Sequence, residues 1–117
     1  MDFSIEFYVS AAGRCPMQEF LDALKQGDPD DFAVVLAGLD KLRQRVYHRW
    51  PLSRAIGGGL FELRHVGKLN TRVMYFFLPG RRIVLVHGIR NKGQGIADRD
   101  RQTALERMRD WQERMKK

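Results

Sequence analysis

The segment LFELRHVGKLNTRVMYFFLPGRRIVLVHGIRNK, residues 60–92, decides the fold. It holds three runs rich in β-branched and aromatic residues, Leu60 to Val66, Thr71 to Leu78 and Arg82 to Ile89. Gly67 to Asn70 and Pro79 to Arg81 separate them with turn-forming residues, so the segment predicts a three-stranded antiparallel meander. Alternation then sorts the side chains by face. Val73, Tyr75 and Phe77 share one side of the middle run, and Arg72, Met74, Phe76 and Leu78 share the other. In the last run Ile83, Leu85, His87 and Ile89 oppose Arg82, Val84, Val86 and Gly88. Both faces are largely apolar, which predicts helices over one face and part of the other.

Outward from the meander, the rest of the chain reads as helices and one more strand. Ile5 to Val9 predicts a short first strand. Pro16 suits a first helical turn, and Met17, Phe20, Leu21 and Leu24 follow at helical spacing, predicting a helix to Gln26. Gly27 stops it, and Asp28-Pro29-Asp30-Asp31 supplies an N-cap, a proline at the first helical position and acids at the positive end of the dipole. The apolar stripe Phe32, Val35, Leu36, Leu39, Leu42 and Val46 carries this second helix toward Trp50-Pro51. Ser53 to Gly59 reads as a glycine-rich connector without the lysine and spacing of a phosphate-binding P-loop. After a loop from Asn91 to Ala97, Asp98 is the expected cap of a last helix bearing Ala104, Met108, Trp111 and Met115. The order β-α-α-β-β-β-α predicts a single α+β domain over residues 1–117.

Charge narrows the partners. The net charge is +7, and residues 1–50 hold 6 Lys/Arg against 8 Asp/Glu while residues 51–117 hold 15 against 6. The basic half draws phosphate-bearing partners, and nucleic acid is the first of these. One cysteine, Cys15, excludes an internal disulfide and fits a reducing cytosol. Neither a leader nor a membrane-spanning apolar run is visible, so a cytoplasmic protein without a membrane partner is expected.

Few residues are candidates for chemistry. Arg72 stands at the rim of an apolar surface and needs an anion, either Glu62 in a structural ion pair or a phosphate. His87 is either a hydrogen-bonded core residue or a catalyst, and His65, beside Arg64, either a solvated strand-end residue or a proton shuttle. Arg90, Asn91 and Lys92 lead from the last strand into a glycine-containing loop that suits phosphate by charge and fork geometry, or is simply solvated. Arg81 and Arg82 read as solvated turn residues. Scattered histidines and unpaired carboxylates offer no metal site.

The succession Gly59-Leu60-Phe61-Glu62-Leu63-Arg64, Thr71-Arg72-Val73-Met74-Tyr75-Phe76 and Ile83-Val84-Leu85-Val86-His87-Gly88-Ile89 resembles the phage-derived Gp49-like, HigB-type toxins of the RelE/ParE toxin–antitoxin superfamily. This chain has Ile89 where those proteins carry phenylalanine, Asn91 and Lys92 at their paired lysines, Gly95 at a further lysine and Ile96-Ala97 at their Thr-Pro helix start. The resemblance implies a RelE-like domain and a toxin of a type II system, a ribosome-dependent, metal-independent mRNA endonuclease without a cofactor. It also implies a helix-turn-helix antitoxin, the ribosome and mRNA as partners. On that basis Arg72, Lys92 and Arg64 are expected to stabilise phosphate and transition-state charge, with His87 a candidate base and Arg90, Asn91 and His65 RNA contacts. The same fold also hosts ParE-like proteins that inhibit DNA gyrase by binding, and a catalytically inactive nucleic-acid-binding phage protein is the third reading.

Overall fold

The computed structural model describes residues 2–90 and 95–116, apart from the side chain of His65. Five strands form one mixed sheet in the order β1-β5-β4-β3-β2: β1 (Ser4–Phe7), β2 (Ser53–Gly57), β3 (Leu60–Gly67), β4 (Thr71–Leu78) and β5 (Arg82–Ile89). From β2 to β5 the strands are antiparallel neighbours, and β1 adds to β5 in parallel, with Ser4 opposite Arg82 and Phe7 opposite Leu85. Helices α1 (Pro16–Gly27) and α2 (Pro29–Asp40) cover one face, and α3 (Asp98–Met115) covers part of the other. The α+β class and the order of the expected elements are those read from the sequence, with one strand added.

Three local differences have physical causes. The connector Ser53 to Gly59 contributes the edge strand β2, since Ser53 and Ala55 find partners in Leu63 and Phe61 before a register shift at Gly57. The meander therefore has four strands. Helix α2 ends at Asp40 rather than running toward Trp50, because Gln44 adopts extended backbone between two single 3₁₀ turns, Lys41–Arg43 and Arg45–Tyr47. Those turns keep a spacing of three, so Leu42 still enters the core while Val46 emerges 53% exposed. A His48 ring nitrogen pairs with the Leu42 carbonyl at 2.6 Å, and its ring meets Phe3 and Phe77 edge-on. At α3 the N-cap is Ala97, and Asp98 lies in the first turn. Asp28 does cap α2, accepting the Asp31 N–H at 3.1 Å, and this bond holds its carboxyl below the ordinary range.

The fourth difference decides the site. Tyr75 lies opposite Leu85 but Met74 lies opposite His87, so Val86 is an extra residue in β5. Alternation restarts beyond such a bulge. Ile83 and Leu85 share the side that meets α1 and α2, whereas Ile89 joins Val84 and Val86 on the α3 side and His87 meets α3 side chains there. Gly88 then faces α1, where an added Cβ would stand 2.8 Å from the Phe20 ring. Glycine is what lets the helix lie this close to the bulged strand.

Two apolar clusters result. Met17, Leu21, Leu24, Val35, Leu39, Leu42, Leu63, Val73, Tyr75, Ile83 and Leu85 fill the space under α1 and α2. Ala104 and Met108 of α3 cover Leu60, Met74, Phe76, Val84 and Val86. Each fully buried aliphatic side chain contributes about 1.5–3 kcal/mol relative to exposure, which makes these clusters the main source of stability. The far end of α3 is tied to the segment after β1 by the Tyr8 hydroxyl, which donates to Asp110 at 2.6 Å, and by Arg114 donating to the Val9 carbonyl. Among the described residues no helix is long and apolar enough to cross a membrane.

Candidate functional site

Across the α3 face, pairing aligns Arg54, Glu62, Met74 and His87 in one row over β2, β3, β4 and β5. With strands about 4.8 Å apart, the row spans roughly 14 Å. Arg72, opposite Ile89, stands one row further from the α3 core than Met74, on the same side. Helix α3 covers Met74 and its neighbours toward Phe76. Glu62, Arg54, Arg64 and Arg72 occupy the adjoining part of the face.

Glu62 is the centre of that group. Its carboxylate is fully buried, and three guanidinium groups converge on it, with Nε of Arg54 at 3.4 Å, of Arg64 at 3.5 Å and of Arg72 at 3.7 Å. These are ion-pair distances rather than hydrogen bonds. Both Glu62 oxygens, Arg64 Nε, and Nε and Nη1 of Arg72 are buried without a hydrogen-bond partner among the described residues. Among the described residues three guanidinium groups thus surround one buried carboxylate. The group therefore carries excess positive charge on a rigid sheet.

The arginines differ in freedom. Arg72 is only 5% exposed, so packing fixes its guanidinium before anything binds. Arg64 is fixed from two further sides: it donates to the Pro51 carbonyl at 3.3 Å and lies over the Trp50 indole, 4.3 Å from the ring centroid. Arg54, nearly half exposed, is the most solvent-facing member. Guanidinium groups held around one carboxylate have the charge and the fork geometry that suit phosphate oxygens.

His87 sits at the other end of the row in a different role. Arg107 Nη1 lies 3.0 Å from Nδ1 and donates to the Val86 carbonyl at 2.9 Å. Arginine only donates, so Nδ1 is the acceptor, and Nε2 carries the proton toward Asp100 Oδ1 at 2.8 Å. Both ring nitrogens are engaged. The Asp100–His87–Arg107 chain joins the bulge to the first turns of α3.

The structure thus brings Arg64, Arg72 and His87 onto one face. Arg90 points elsewhere: its Nη2 lies 3.1 Å from Asp31 and 3.6 Å from Asp28 at the start of α2. Asn91, Lys92 and the side chain of His65 lie outside the described residues. Sequence reasoning treated Arg82 as solvated, but its guanidinium forks onto Glu6 at 2.5 and 2.8 Å across the β1–β5 pair. That fork lowers the Glu6 pKa from its ordinary value. Arg54 and Trp50 were not singled out as functional. The signal for Arg54 was the alternation that continues backward from β3, hidden by the glycines between. Burial raises the Tyr75 hydroxyl to about 12, which leaves it in the core as a neutral phenol. Among the described residues no group of three or more histidine, cysteine, aspartate or glutamate side chains is placed to hold a metal ion.

The model of the family described as Phage derived protein Gp49-like matches residues 19–109. That span runs from α1 to the last turns of α3 and takes in the whole arginine group and the His87 chain. No curated protein matches the chain.

Proposed function

Since the chain belongs to the Gp49-like family, a RelE/HigB-like toxin family, we propose that it is the toxin of a type II toxin–antitoxin system that cuts mRNA on the translating ribosome. The observation that carries this reading is the arginine group around Glu62, above all Arg72, which is buried on the α3 side of the sheet beside Met74 and opposite Ile89.

Metal-independent RNA cleavage needs the chain positioned, a proton removed, the phosphate charge stabilised and the leaving oxygen protonated. The 2′-OH attacks the adjacent phosphorus and loses its proton, the P–O5′ bond breaks, and the departing O5′ takes up a proton, leaving a 2′,3′-cyclic phosphate. The non-bridging oxygens gain negative charge on the way. Arg72 and Arg64 supply fixed donors for that charge, and Arg54 follows the chain. Lys92, three residues beyond Ile89 in sequence, is assigned to the same phosphate, with Asn91 and His65 as RNA contacts. With both nitrogens of His87 engaged, it serves in this reading to hold β5 against α3, and alignment of the RNA by the ribosome provides the remaining acceleration. The cognate antitoxin is a helix-turn-helix protein in this proposal, and it silences the toxin by keeping this face from the ribosome.

Brief induction followed by primer extension on cellular mRNA tests the assignment. Codon-linked 5′ ends are expected, and Arg72→Ala is expected to lower cleavage about 100-fold, by analogy with loss of one oxyanion donor, while the protein still folds and binds antitoxin. DNA-damage signalling without such ends indicates gyrase as the target instead. A folded Arg72→Ala protein that stayed fully toxic would refute the role of the arginine group.

A further inference from the structure

Trp50 is 64% exposed, the most exposed large apolar side chain among the described residues. One face of its indole is taken by the Arg64 guanidinium, 4.3 Å from the ring centroid. The same guanidinium lies 3.5 Å from Glu62, so the indole is joined by one side chain to the arginine group. Arg49 precedes Trp50 and is exposed as well. Trp50 follows His48, which bonds the Leu42 carbonyl and packs its ring edge-on against Phe3, whereas Trp50 itself contributes little to the core.

We infer that Trp50 is a base-stacking platform, on which one nucleobase of a single-stranded RNA lies against the indole while its neighbouring phosphate reaches Arg64 and Arg54. This rests on the nuclease reading for its RNA, and adds the subsite that reads a base rather than a phosphate. An aromatic face beside a cationic track is the arrangement by which proteins hold single strands, because every base has a π face and every nucleotide a charge. Arg64 serves both parts. Its contact with Trp50 fixes the plane of the ring, and its contact with Glu62 fixes the plane of the guanidinium. A protein partner would also use an exposed tryptophan beside an arginine, but three arginines around one carboxylate favour a polyanion.

The sequence has two tryptophans, so Trp111→Phe leaves Trp50 as the sole indole. In that protein a 2′-O-methyl hexaribonucleotide, which lacks the nucleophile and is not cut, is expected to quench the emission. An abasic probe of the same length and charge is expected not to. Trp50→Ala is expected to weaken binding of the hexamer roughly tenfold, and Trp50→Phe to retain most of it. Equal affinity of Trp50→Ala and the parent, or quenching of the same size by the abasic probe, overturns the platform. So does a Trp50→Ala protein that keeps its affinity for the hexamer but no longer binds the antitoxin, which would make this a protein interface. The two readings fail separately. A chain that binds the hexamer through Trp50 while leaving cellular mRNA uncut keeps the platform and removes the nuclease; a Trp50→Ala chain that cuts as well as the parent does the reverse.

Discussion

Under α1 and α2, the sheet positions Leu63, Val73, Tyr75, Ile83 and Leu85 are all buried and all meet apolar partners. On the opposite face α3 closes the surface over Leu60, Met74, Phe76, Val84 and Val86, and then the surface turns to Arg54, Glu62, Arg64 and Arg72. One face is closed by dispersion and the hydrophobic effect. The other is half given over to charges that hold one another at long distances. The difference teaches where this fold draws its stability from apolar packing and where it draws it from charge: among the described residues the arginine group surrounds a buried carboxylate with ion pairs in place of apolar contacts.

The comparison is broken most directly at Glu62. Glu62→Gln preserves shape but leaves buried Arg72 without its anion, and a loss of about 3–5 kcal/mol is expected in urea unfolding. A loss below 1 kcal/mol would mean that the arginines are solvated and the buried charge is balanced by something else. On the closed face Leu85→Ala is expected to lose about 2–5 kcal/mol through the cavity it leaves, with cleavage per folded molecule unchanged. If instead cleavage fell while stability held, the division between the faces would be wrong.

The smallest effect is at the sheet edge. Arg82 hydrogen-bonds Glu6 and holds its carboxyl below the ordinary value, so the pair's contribution is complete above about pH 4.3 and is lost as pH falls through the depressed native value. Arg82→Ala should therefore lower the neutral part of the stability profile by the pair's small contribution and flatten the acid limb, leaving stability below the depressed value unchanged. An acid limb identical in both proteins would show that the fork is a surface contact without consequence.

Much of this was legible in the sequence. The meander was readable because β-branched runs and glycine turns alternate cleanly from Leu60 to Ile89, and the first helix because its apolar residues recur at helical spacing. Glu62 was visible as a partner for Arg72, though its other two arginines were not. What remained hidden was set by pairing. A single extra residue at Val86 moves His87 and Ile89 to the other face, and nothing in a strand's own composition announces a bulge. Likewise Arg90 looked free because its partners, Asp28 and Asp31, are remote in sequence and come near only when α2 packs on the sheet. Trp50 looked like a helix stop, and only the stacking of Arg64 gives it a second meaning.

The parallel pairing of β1 with β5 also sets an order of assembly. Each of β2, β3 and β4 finds its next partner a short turn away, but Ser4 has to wait for Arg82. At about 5–20 residues per second of synthesis, that interval is roughly 4–16 s. Until β5 is made, Met17, Leu21 and Leu24 of α1 lack the Ile83 and Leu85 side chains they finally cover. Closure by long-range contacts is the slow kind. The nascent chain can thus bring Arg54, Glu62, Arg64 and Arg72 together on β2, β3 and β4 before β5 joins β1, so the last event of assembly closes the apolar core rather than the arginine face.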